Sequence, residues 1–143
     1  MATFPRFLSV IIATIIVFQS VIVAPAINVA LEVEPAAIML RFIWPIFFAL
    51  IGILGLVGVV TARKQKMGLI VNAATVVGMV VCYVLVPIIN EAKDSDHMRL
   101  WSALHMVTVG LTFGLLVLHL VYVFRWGRPE KVGAEDKNHD YEL

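Results

Sequence analysis

Residues 98–124 read MRLWSALHMVTVGLTFGLLVLHLVYVF, a run with no acidic side chain and one arginine at its start. A bilayer core takes about 20 apolar residues at 1.5 Å rise each, and only a helix satisfies its own backbone there. The run is too long and too uniformly apolar for a barrel strand. Working outward, three more stretches share its character, at about 7–29, 36–62 and 67–89. The sequence therefore predicts an all-α, integral membrane four-helix bundle over residues 1–126, with a polar tail over 127–143.

Composition supports that class. Hydrophobic residues make up 61% of the 143-residue chain and charged residues 15%, against roughly 45–50% and about 25% in soluble domains. Mean hydropathy is +0.95. A net charge of +1 leaves no basic footprint for nucleic acid. The lone Cys82 excludes an internal disulfide and a cysteine-based zinc site. Near the start, Arg6 and Ala24-Pro25-Ala26 resemble a signal peptide with a cleavage site. The apolar run from Phe7 to Ala24 exceeds a usual h-region of 7–15 residues, so it reads as a retained span.

Four crossings put both termini and the loop between helices two and three on one side. That side carries eight of the eleven basic residues, with Arg63, Lys64 and Lys66 close to the membrane. Lys/Arg excess marks the cytoplasmic face, so both ends are expected there, in a cytoplasmic membrane. The opposite loops are net acidic, at −2.

Pro25, Asn28 and Ala30 recur as Pro87, Asn90 and Ala92, each offset by 62 positions. Arg41 and Trp44 are echoed by Arg99 and Trp101. Two tandem helical hairpins would explain this pattern, and convergent use of common boundary residues explains it equally well. Either way, Pro25 and Pro87 should bend the last turns of their helices, Asn28 and Asn90 should cap them, and Pro45 should kink the second helix. Gly52, Gly55 and Gly58, then Ala74, Gly78 and Cys82, then Gly110 and Gly114, are spaced for close helix contact inside the bundle.

On the fourth helix, His105, Thr108, Thr112 and His119 share one face. Polar groups at membrane depth point into the bundle or a hydrated cavity. By depth, Gln19 should meet the His105–Thr108 level and Asn72 the His119 level. The expectation is a continuous polar seam through the bundle. It serves either as interhelical glue or as a binding site.

Metal or haem ligation is a further option. His105 and His119 lie about 21 Å apart along one helix and cannot share a metal. Haem would need a facing histidine from another copy or subunit. His97, Met98 and His105, with Asp94, form a candidate copper or zinc group at the outer surface. No cofactor is the simplest reading. No catalytic pattern stands out, since Ser9, Ser20 and Ser102 lack a base and an orienting acid.

Leu40-Arg41-Phe42-Ile43-Trp44-Pro45 resembles the basic/aromatic-Pro entry of the transmembrane protein 205-like family, a domain of unknown function. Val86-Pro87-Ile88-Ile89-Asn90, followed by Trp101-Ser102-Ala103-Leu104-His105, is similar to that family's P-x-x-N … L-H feature. The same segment resembles the anthrone oxygenase-like family of small four-helix membrane proteins. The first resemblance implies Arg41, Pro45, Asn90 and His105 as signature positions. Thr112 stands where that family often has Asn. The second resemblance implies a hydrophobic aromatic substrate.

The expected role is a non-enzymatic structural or interaction module, self-associating or serving as an accessory subunit among membrane lipids. The alternative is a protein that binds a small apolar ligand, haem or metal near Asn90 and His105, with an oxygenase-like or transport-related task.

Overall fold

The computed structural model describes residues 4–125. The polar tail expected over 127–143 lies outside the described residues. Four helical spans are present, each long and apolar enough to cross a membrane. The first is α1 (Phe4–Val17), a π-helical turn (Phe18–Val23) and α2 (Ala24–Ala30) in one rod. Then come α3 (Val33–Thr61), α4 (Lys66–Asp94) and α5 (Met98–Phe124). Connections this short force antiparallel neighbours. The helices close a ring: α1 packs on α3 and α5, and α4 packs on both α3 and α5. The protein is an all-α four-helix bundle of the integral, multi-pass membrane kind.

Its exterior is oily. Phe42 (71% exposed), Ile70 (67%) and Phe113 (64%) are typical of the outward faces. Inside, Ile12, Ile16, Phe48, Ile51, Met79 and Leu115 form the packed centre. Trp44 joins it through ring contacts with Phe47 and Phe48 at 5.5 and 5.7 Å between centroids.

In lipid, close approach replaces hydrophobic exclusion as the source of helix association. Gly55 and Gly58 are buried against Thr75, Val76 and Asn72 of α4, and Gly78 lies against Leu115 of α5. Gly110 and Gly114 differ from expectation, because they face away from the bundle with open space at their Cβ positions. Gly58→Ala would drive a methyl group into the Asn72 amide. It should cost about 1–3 kcal/mol, whereas Gly110→Ala should be nearly neutral. Thermal unfolding of both variants in micelles checks the contrast.

Two helix ends depart from the sequence reading. Pro25 has no N–H, and the turn before it opens to a wider repeat in which the Ala24 amide reaches the Gln19 carbonyl, five residues back. Asn28 behaves as expected, its Nδ2 donating to the Ala24 carbonyl at 2.9 Å. Pro87 does not end its helix. α4 runs on through Asn90 to Asp94 because Glu91, Ala92 and Lys93 are good helix formers. α3 likewise continues through Pro45. The α4 end is a Schellman turn, with the His97 amide on the Ala92 carbonyl (2.8 Å) and Asp96 at φ 61°. Those extra residues carry Lys93 and Asp94 about 6 Å beyond Asn90, over the ends of α3 and α5.

Candidate ligand cavity

At the loop end of the ring the four spans leave a cavity of about 490 Å³. Helix direction explains it. α1 packs on α5, but beyond the π-helical turn α2 leans on α3 instead. The gap between the first span and α5 therefore widens toward the loops. Ser20 and Val21, both in that turn, line the cavity.

The loop-proximal end of the wall is polar. Arg41 of α3 forks onto Asp94, with Nη1 donating to Oδ2 at 2.9 Å and Nη2 to Oδ1 at 2.5 Å. This two-pronged pair ties the entry of α3 to the end of α4. The Lys93 ammonium sits 5.3 Å above the Trp101 ring. Trp101 in turn stacks on His105 one helical turn along α5, at 5.4 Å and 10° between planes. Asn90 completes this end.

Farther in, the wall is hydroxyl-bearing and then apolar. Thr108 Oγ1 donates to the His105 carbonyl and Thr112 Oγ1 to the Thr108 carbonyl, each at 2.8 Å. Their protons are spent on their own helix, so toward the cavity they offer lone pairs and methyl groups. Ile16, Phe48 and Leu116 form the floor.

A second polar cluster lies below that floor. His119 is fully buried, with Nε2 2.8 Å from Thr75 Oγ1. Thr75 already donates to the Val71 carbonyl at 2.9 Å, so the ring supplies the Nε2–H and Thr75 accepts. Asn72 Nδ2 donates to the Gly68 carbonyl at 2.7 Å. Tyr122 donates to Gln65 Oε1 at 2.9 Å, and its ring lies 5.9 Å from the Arg6 guanidinium carbon.

The expected continuous seam is thus two separate groups. Thr112 and His119 are about 10 Å apart along α5, and Leu115 and Met79 of the packed centre lie at that level. Asn90, Arg41, His105, Thr108 and Thr112 come together at the cavity. His105 is exposed rather than buried, covered on one face by Trp101. Gln19 is buried in the π-helical turn outside the wall, and its Nε2 has no partner among the described residues. Asn72 and His119 belong to the lower cluster. His97 and Met98 stand at the exposed start of α5, outside the cavity wall. Among the described residues no three His, Cys, Asp or Glu side chains gather as a metal group.

Sequence reasoning missed Lys93, Ser20 and Thr75 as working members of these groups, whereas Trp101 and Asp94 stand where the polar stripe of the fourth helix extends to the outer surface. Thr75 had a usable signal, lying three residues after Asn72 on the same helical face. Lys93 had none, because its place depends on α4 continuing past Pro87. No protein family, curated protein or solved structure matches this chain. Fold and cavity alone define it: a four-span membrane protein with a chamber at the loop end of its bundle.

Proposed function

We propose that this protein binds a lipophilic small molecule within the membrane, in the chamber bordered by Arg41, Asn90, Trp101 and His105. The observation that carries this reading is the chamber itself. Packed helical interiors hold few voids larger than a water molecule. A space of about 490 Å³ falls in the range of small-molecule sites, roughly 300–1,000 Å³. Its wall matches such sites too, mainly apolar with a few polar groups at one end. Both termini lie in the cytoplasm by the Lys/Arg bias, which puts the chamber in the outer half of the membrane.

His105→Ala tests the reading. The ring is exposed and makes no interhelical hydrogen bond among the described residues, so the fold should persist while co-purifying ligand falls several-fold. Mass spectrometry of extracts from equal amounts of folded protein reads occupancy. Loss of thermal stability with unchanged occupancy would count against the proposal. Absorbance at 400–430 nm and metal analysis of the same sample distinguish a haem or copper occupant from an organic one.

A second reading rests on Gly110 and Gly114, which present a small-xxx-small face away from the bundle. Such faces let helices of separate chains approach closely, in keeping with a self-associating module or accessory subunit. Crosslinking in native membranes, with Gly114→Leu as the disrupting variant, tests it.

A further inference from the structure

We propose that the chamber's ligand is an elongated amphiphile with an anionic head, a long-chain carboxylate or alkyl phosphate, that enters sideways from the bilayer between the first span and α5. This inference rests on the ligand-binding reading above and adds the ligand's shape, charge and route.

Shape comes from the proportions of the space. Trp101 and Leu116 line opposite ends of it, and fifteen residues of helix separate them by about 22 Å. The space is therefore elongated along the helices and long enough for an extended acyl chain.

Charge comes from the wall. Arg41 and Lys93 both line its loop-proximal end, and among the described residues no carboxylate lines the chamber. Asp94 occupies the fork of Arg41. The Lys93 ammonium rests on the Trp101 ring and keeps donors for a further acceptor. Polar groups sit at the interface level and apolar ones toward mid-membrane. An amphiphile in a leaflet has the same polarity, so it would slide in without turning over.

The route follows from side chains that serve two surfaces. Val21 and Phe113 line the chamber and are also 65% and 64% exposed on the outward face. Val17 and Val109 do the same between them. The mouth is therefore apolar and opens to acyl tails.

The test uses the full chain in vesicles of zwitterionic phospholipid. Trp126→Phe leaves Trp44 and Trp101, both in the wall, as the emitting indoles. Three probes brominated at mid-chain are titrated: a long-chain carboxylate, the matching alkyl phosphate and the matching alcohol. The expected result is saturable quenching by at least one anionic probe at lower concentration than by the alcohol. Lys93→Gln should weaken that anionic probe about fivefold and leave the alcohol unchanged, while Lys93→Arg keeps the preference. Whichever anionic probe binds tighter identifies the head group's source. Equal binding of acid, phosphate and alcohol in parent and variant would overturn the anionic head while leaving the chamber a lipophile site. Absence of saturable quenching by any probe would remove both readings. For the route, Val109→Phe narrows the mouth and should slow the approach to saturation without changing its extent; an unchanged rate would refute sideways entry.

Discussion

Thr112→Phe is expected to exclude ligand from the chamber while leaving the bundle folded and at least as heat-resistant as the parent. Thr112 is buried at mid-wall, and its hydroxyl donates to the carbonyl of Thr108 on its own helix and meets the Cys82 thiol of α4. Removing it costs that thiol one weak contact, and the thiol keeps the Thr108 carbonyl within reach at 4.0 Å. The phenyl ring extends into empty space, where it gains dispersion contacts that the void denies to the surrounding atoms. Affinity should fall at least about tenfold, equivalent to about 1.4 kcal/mol. A quenching titration paired with thermal unfolding in micelles reads both effects. A functional void is a place where stability is given up, so a filled chamber that melts higher and binds nothing would fit that trade. Binding that persists at full strength would place the ligand elsewhere.

The second large effect concerns the lower cluster, and its pattern is asymmetric. His119→Ala removes a fully buried ring and should cost about 2–5 kcal/mol, mostly from the cavity left behind. His119→Leu, which keeps most of the volume, should cost less than about 1.5 kcal/mol. The reason is that the Thr75 proton already goes to the Val71 carbonyl, so losing the ring leaves no buried donor stranded. Thr75→Val does strand one, the Nε2–H of His119, at about 1–3 kcal/mol. The double variant His119→Leu with Thr75→Val should then be no worse than His119→Leu alone. Unfolding of the four proteins in micelles gives the cycle. If Thr75→Val were harmless and His119→Leu as damaging as alanine, the ring's protonation would have to be the reverse of that deduced from the hydrogen bonds.

The spans were legible because membrane helices announce themselves by length and uniform apolarity. Depth matching correctly set Asn72 near the level of His119 and the Thr108–Thr112 face toward the interior. What the one-dimensional pattern could not convey was where the helices part. The Arg41–Asp94 pair joins residues 53 positions apart, and nothing local marks either as the other's partner. Pro25 and Pro87 looked equivalent, yet the first precedes α2 after a wider turn and the second is absorbed inside α4. The shared Pro-x-x-Asn-x-Ala pattern is met by two windings, a π-helical turn ahead of Pro25 and an unbroken α-helix through Pro87, with helix on the far side of both prolines. Gly110 and Gly114 carried the expected spacing on the wrong face, since spacing alone does not say which side of a rod meets its neighbours.

The wider turn at Phe18–Val23 amounts to one residue more than a straight helix would need. Loss of a single in-frame codon there would restore ordinary winding while α1 and α2 kept close to their present faces, because the wide turn is what takes up the surplus residue. Ile27, now buried, would stay near its seat, while Ser20 and Val21, inside the turn, would be displaced and the slit toward the acyl chains would change width. A descendant of this chain differing by one such deletion would keep its four crossings and lose the turn that frames its doorway.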